Sequence, residues 1–217
     1  MQDINKIGFL FDLDGVLIDS EKGYSQIWRR VNEEYPTGVD NLEMVIKGCT
    51  LDKILADYYP DSIIAEKVTK RLYELEGKMK YEFKDGAKEL LLQLRDRKIP
   101  AVLVTSSNDK KMKHLYEEIP EMPDLFDFII TANQISRSKP DPEGYLLGAK
   151  KIGSNPVNCI VFEDSLQGVR AGENAGALVV GVAGTLSEEI LRPHSDVVVN
   201  TLENIDIDCL IKKLPKK

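Results

Sequence analysis

At 217 residues the chain is long enough for one sizeable core, or for a core domain with a smaller companion. Its formal net charge of -7 argues against nucleic acid as the main partner, because phosphate backbones are bound by basic surfaces. Cys49, Cys159 and Cys209 are widely spaced and form no Cys-x-x-Cys, which argues against a disulfide framework or a zinc site and suits a reducing compartment.

The start Met1-Gln2-Asp3 is acidic, with no signal-peptide pattern, and no apolar run is long enough to span a membrane. A cytoplasmic, soluble protein is therefore expected, with no membrane partner. Ile7 to Phe11 is a short apolar run without polar alternation, as in a central parallel strand covered on both faces. A stretch of helical character follows. One helix is predicted from Ser20 to about Glu34, with Ile27 and Val31, and Tyr24 and Trp28, at i,i+4; Pro36 and Gly38 end it. Further helices are predicted over Asn41 to Ile46, from Thr50, and from an N-cap in Pro60-Asp61-Ser62 towards Lys80. After Asp85-Gly86 the texture changes. Helix Ala87–Lys98 leads to strand Ala101–Val104, helix Asn108–Glu118 to Phe128–Ile130, and a helix after Pro142 to Cys159–Phe162. Helix Ser165–Ala175 then leads to Leu178–Val180, and a last strand is predicted at Val197–Val199. Strands alternating with helices in this way predict an α/β domain with a parallel sheet and right-handed crossovers, interrupted after its first strand by an all-helical insert. The lysines at 212, 213, 216 and 217 read as a solubilising end.

The first strand ends in Asp12-Leu13-Asp14-Gly15, at the edge where open α/β sheets hold ligands. Asp12 and Asp14 can point to one side there, and two such carboxylates repel unless a cation or a shared proton relieves them. Taken alone the tetrapeptide is equally a turn. Later strand ends decide. Strand Ala101–Val104 ends in Thr105-Ser106-Ser107-Asn108, hydroxyls that suit an anion, although Ser107 or Asn108 fits an N-cap better. Lys139 stands before Pro140-Asp141-Pro142, whose two prolines pin the local backbone. Strand Cys159–Phe162 ends in Glu163-Asp164-Ser165, a second carboxylate pair in the same sheet. Carboxylates are hard oxygen ligands that suit Mg²⁺, and a cation, a lysine and N–H groups together suit a transferring phosphoryl group.

In these four segments, Phe11-Asp12-Leu13-Asp14-Gly15-Val16, Val104-Thr105-Ser106, Ser138-Lys139-Pro140-Asp141-Pro142-Glu143 and Phe162-Glu163-Asp164-Ser165, the chain resembles the haloacid dehalogenase superfamily of aspartyl phosphotransferases. Gly168 and Ala175-Gly176-Ala177 fit the same final segment, and the helical insert resembles the small cap of the β-phosphoglucomutase-like phosphatases and mutases. The resemblance implies a Rossmann-like α/β core over residues 1–16 and 85–217 and a small all-helical cap domain over 17–84. It implies that Asp12 attacks phosphorus and that Asp14 acts as acid and then base. It places Mg²⁺ on the Asp12 carboxylate, the Asp14 backbone carbonyl and Asp164, with Glu163 nearby, and gives the phosphoryl oxygens to Thr105, the Ser106 backbone and Lys139. Asp14 argues against a dehalogenase, since halide-releasing members lack that second aspartate and the metal.

The cap should set the leaving group. Where the mutase carries an arginine for a second phosphate this chain has Leu51, and in place of a cap-helix histidine it has Tyr24; Lys47 matches a cap lysine. An apolar side chain cannot replace a bidentate guanidinium on phosphate. The implied activity is hydrolysis of a small phosphate monoester, a sugar phosphate above all. A phosphomutase and an inorganic pyrophosphatase stand as alternatives. Lys47 and Tyr24 are the candidate substrate contacts, a phosphorylated metabolite is the partner, and a monomer is expected.

Overall fold

The computed structural model describes residues 7–215, so the readings of Met1-Gln2-Asp3 and of Lys216-Lys217 lie outside the described residues. Six parallel strands form one sheet: β1 (Gly8–Phe11), β2 (Ala101–Val104), β3 (Phe128–Ile130), β4 (Cys159–Glu163), β5 (Leu178–Val182) and β6 (Val197–Val199). Their order is β3-β2-β1-β4-β5-β6, which places β1 at the centre with β2 and β4 on its flanks. This doubly wound order reverses direction beside β1, and ligands of such sheets bind in the crevice outside the carboxyl ends of the strands at that point.

Residues alternate between the faces of a strand, and here both faces are buried. Phe9, Phe11 and Phe162 stack on one face, the Phe11 and Phe162 rings 4.8 Å apart. That face is covered by α5 (Ala87–Asp96), α6 (Asp109–Glu118) and α10 (Ile207–Lys213), through Leu91, Leu115 and Leu210 among others. The opposite face presents Leu10, Val102 and Val161 to α7 (Glu143–Lys151) and α8 (Leu166–Ala175). The short α9 (Glu188–Leu191) closes the β5 side through Leu191.

Between β1 and α5 lie α1 (Glu21–Glu34), α2 (Leu42–Val45), α3 (Leu51–Tyr58) and α4 (Ser62–Glu76). They share an apolar cluster of their own, including Ile27, Trp28, Val31, Leu42, Val68 and Leu72. Asp61 caps α4 by accepting from the amides of Ile63 and Ile64, both at 2.9 Å. The helix stops at Glu76 rather than running on to Lys80; Gly77, a poor helix former, follows at once. Helices α9 and α10 were not anticipated, being short and weakly patterned. The two segments joining the helices to the sheet run side by side. The Asp19 amide donates to the Glu82 carbonyl at 3.1 Å, the Lys84 amide to Leu17 at 2.9 Å, and Ile18 bridges Phe83 in antiparallel fashion. Among the described residues no helix is long and apolar enough to cross a membrane.

Candidate active site

The carboxyl ends of β1, β2 and β4 meet where the order of the sheet reverses. Asp12 follows β1 directly and is 8% exposed, and Glu163, the last residue of β4, is fully buried. Lys139 lies between them, in the segment after β3. Its Nζ donates to Asp12 Oδ1 and Glu163 Oε1, each at 2.6 Å, and to the Val104 carbonyl at 3.3 Å. Burial opposes the Lys139 ammonium, but the two facing carboxylates outweigh it and hold its pKa above the ordinary lysine value. Burial pushes the Asp12 carboxyl up to about 7 against the pull of Lys139, with Glu163 and Asp14 adding to the rise.

Glu163 is held at both oxygens. Oε1 also accepts from Tyr145 Oη at 2.6 Å, and Oε2 accepts from the Asp164 amide at 3.2 Å and from Ser165 Oγ at 3.2 Å. Ser165 in turn caps α8 by accepting from the Gly168 amide at 3.0 Å. The serine is therefore the cap, and Glu163 and Asp164 are left for the site. Gly168 makes room for this arrangement, since a Cβ there would fall 1.9 Å from Glu163 Cδ. Gly168→Ala is expected to push Glu163 off Lys139 and to cost about 1–3 kcal/mol, the range for overpacking a tight interior. Thermal unfolding checks this; an unchanged midpoint would mean that α8 shifts without cost.

Asp14 is held from three directions. Lys111 Nζ donates to its Oδ2 at 2.5 Å and Ser107 Oγ to the same oxygen at 3.2 Å, while Ser20 Oγ donates to Oδ1. The next residue, Gly15, turns the chain at φ +76°, and a Cβ on it would lie 1.8 Å from Asp164 Oδ2. Only a glycine combines that backbone angle with so close an approach. Lys84, on the returning segment, donates to the Gly15 carbonyl at 2.7 Å.

At the end of β2, Thr105 is buried and its Oγ1 accepts from the Ser107 amide at 3.0 Å. Asn108 caps α6 as expected, accepting from the Lys111 amide at 3.0 Å, whereas Ser107 serves Asp14 instead of the helix. Three contacts seat the helical layer on this loop and on the segment after β3. Ser106 Oγ donates to the Gly48 carbonyl at 2.7 Å, the Thr50 amide to Ser138 Oγ at 2.9 Å, and Asn108 Nδ2 to Tyr73 Oη at 2.9 Å. Between the layers is a cavity bounded on the sheet side by Asp12, Asp14 and Asp164 and on the helical side by Tyr24, Lys47 and Leu51. Both candidate substrate contacts thus reach the same space as the carboxylates. Tyr24 makes a specific bond, donating to Glu76 Oε1 at 2.9 Å.

Asp12, Glu163 and Asp164 are all buried and offer carboxylate oxygens within 4.8 Å of one another. With Asp14 beside them and Lys139 among them, negative charge exceeds positive, a balance that a divalent cation corrects. The donor set fits Mg²⁺. Because Glu163 already accepts from Lys139, Tyr145 and Ser165, the oxygens best disposed towards an ion are those of Asp12 and Asp164.

Lys111, Ser20, Tyr145 and Glu76 escaped the sequence reading. A signal for Lys111 existed: it shares a helix face with Leu115, four residues on, and both are buried.

A model of the haloacid dehalogenase-like hydrolases matches residues 8–176. The chain is 32% identical over 207 residues to validoxylamine A 7'-phosphate phosphatase of Streptomyces hygroscopicus subsp. limoneus, covering 90% of this chain and 94% of that protein. It is 31% identical over 206 residues to hexitol phosphatase A of Escherichia coli, covering 92% of this chain and 93% of the relative. Among solved structures, a β-phosphoglucomutase from Clostridium difficile superposes with a TM-score of 0.78 at 26% identity, covering 95% of this chain and 96% of its own.

Proposed function

The chain belongs to the haloacid dehalogenase-like hydrolases, and on that premise we propose that it hydrolyses a small phosphate monoester of the sugar-phosphate type through an aspartyl-phosphate intermediate. The observation that supports this reading best is the meeting of Asp12, Asp14 and Asp164 on one cavity at the strand ends, with the buried Lys139 bonded to Asp12. Two relatives of nearly the same length are named as a validoxylamine A 7'-phosphate phosphatase and a hexitol phosphatase.

In this reading Asp12 attacks phosphorus, the ester P–O bond breaks, and Asp14 gives its proton to the departing oxygen. Asp14 then takes a proton from water as that water attacks the phosphoryl group on Asp12, releasing phosphate, freeing the Asp12 carboxylate and returning Asp14 to its protonated form. Lys139 and the Thr105–Ser106 loop hold the phosphoryl oxygens, and Glu163 holds Lys139. Ser20, Ser107 and Lys111 orient Asp14. Mg²⁺, when held by Asp12, the Asp14 carbonyl and Asp164, offsets the charge that gathers on the phosphoryl oxygens. Residues 17–84 act as the cap, covering the site and reading the leaving group.

Mutase chemistry needs a grip on a second phosphate. Leu51 occupies the matching place in the cavity, and Tyr24 is committed to Glu76. Hydrolysis is therefore the better reading.

The test is phosphate release from a panel of sugar phosphates, polyol phosphates, pyrophosphate and hexose 1-phosphates with a bisphosphate activator, each with Mg²⁺ and with chelator. Turnover of one or more monoesters is expected with Mg²⁺, falling at least ~100-fold on chelation, in keeping with the several kcal/mol a metal supplies to phosphoryl-transfer transition states. Isomerisation in place of release would establish a mutase instead. No metal-dependent turnover of any compound would end the phosphatase reading.

A further inference from the structure

On the helical wall of the cavity, facing Asp14, sits a carboxylate that the proposed hydrolysis leaves without a task. Glu76, the last residue of α4, is only 8% exposed and lines the cavity. Among the described residues its side chain accepts one hydrogen bond, from Tyr24, and no cation lies within ion-pair distance of it. An ionised carboxylate offers about four acceptor positions, so one phenol leaves most of that capacity unused in a buried place. Burial accordingly raises the Glu76 pKa.

Across the same space stands Lys111, 8% exposed, bonded to Asp14 and lying 4.0 Å from the centre of the Tyr24 ring. An ammonium has three protons to donate. The cavity thus carries, next to the reacting end, an acceptor on one wall and a donor on the other. Behind them the wall is apolar, with Trp28, Ile54 and Leu72.

A leaving group matching this wall is neutral. Although Lys47 and Lys111 also line the cavity, a second phosphate placed beside Glu76 would face its carboxylate, and a purely hydrocarbon leaving group would bury Glu76 with its acceptors unfilled. A hydroxyl both donates and accepts, so adjacent hydroxyls satisfy Glu76 and Lys111 at once, and the C–H face of a polyol can lie against Trp28.

We propose that Glu76 determines specificity by accepting a hydrogen bond from a hydroxyl of the leaving group, with Lys111 donating to its neighbour, so that the enzyme selects monophosphates of neutral polyols or sugars over esters whose leaving groups lack hydroxyls. The proposal rests on the phosphatase reading above and deepens it.

The experiment compares kcat/KM for hexitol 6-phosphate, pentose 5-phosphate and glycerol 1-phosphate with that for p-nitrophenyl phosphate, in the wild type and in Glu76→Gln. A hydrogen bond to a charged group is worth about 1.5–3 kcal/mol, so the polyol-to-aryl ratio in the variant should fall about 10- to 100-fold, chiefly through KM. Glu76→Asp keeps the charge but withdraws it by one methylene; it should lower the ratio in the same direction and serves if the glutamine variant does not fold. Equal losses on polyol and aryl esters would make Glu76 a structural residue and overturn the proposal. So would a wild type that prefers the aryl ester to every polyol phosphate; the phosphatase reading would survive either result. A wild type inactive on all four compounds, with Asp12→Asn indistinguishable from it, would instead remove the phosphatase reading and this proposal together.

Discussion

Asp12→Asn is expected to reduce turnover at least ~10⁴-fold while leaving the fold intact, the scale seen when a covalent nucleophile is removed. The substitution keeps the shape of the side chain and can still accept from Lys139, so circular dichroism should be unchanged. The stability of the variant carries a second signature. In the metal-free protein the Asp12 carboxyl sits at about 7 in the folded state against an ordinary value of 3.8. Below both values the residue is protonated whether folded or not, and costs nothing. As pH rises between them the unfolded chain loses its proton first, so the folded state is progressively disfavoured; above about 7 the loss levels off. Asp12→Asn should therefore gain on the metal-free wild type as pH rises from 4 to 8, by a few kcal/mol at most. Saturating Mg²⁺ should shrink this gap by stabilising only the wild type. A variant retaining a tenth of wild-type turnover would rule Asp12 out as the nucleophile. A constant stability difference across that pH range would show that its carboxyl is not raised.

Lys139→Met should be the most destabilising single change in the site. The lysine is 5% exposed and is the bridge between Asp12 and Glu163. Methionine fills much the same volume but leaves both carboxylates without their cation. Breaking a buried pair from one side costs about 3–5 kcal/mol, which for a chain of this size is a fall in midpoint on the order of 10 °C. Because protonation relieves the stranded carboxylates, the loss should be greatest above pH 7 and smaller near pH 5. Thermal unfolding across pH checks this, and phosphate release should fall with it. A midpoint within ~2 °C of the wild type at pH 8, less than the shift of a single kcal/mol, would mean that the bridge contributes little.

The strands and their alternation with helices were legible because apolar runs such as Phe9 to Phe11 and Ile160 to Phe162 are short, unbroken and followed by polar chemistry. The carboxylates and Lys139 were legible for the same reason: each stands directly after a strand or beside prolines, in a spacing seldom produced by packing alone. Lys111 was hidden in the run Asp109-Lys110-Lys111, which has the composition of a solvated helix face; only the turn of α6 makes Lys111 the inward residue. Tyr145 and Glu76 stand on different elements from the groups they meet, Glu163 and Tyr24, and sequence carries little sign of such meetings. Ser107 read as a helix cap because that is the commoner use of a serine after a strand. Its neighbour Asn108 took that duty and freed it for Asp14.

The paired segments joining the two layers have a mechanical consequence. Because Leu17 and Asp19 are bonded to Lys84 and Glu82, the helical layer hangs on a single two-ply ribbon rather than on two independent tethers. The two strands of the ribbon are bonded to each other, so any displacement of the helical layer relative to the strand ends has to deform both together. The fixed end of that ribbon is clamped at the Gly15 carbonyl by Lys84, one residue beyond Asp14. The root of the ribbon and Asp14 are thus parts of one short segment, so a force on the helical layer is passed to the backbone that carries that carboxylate.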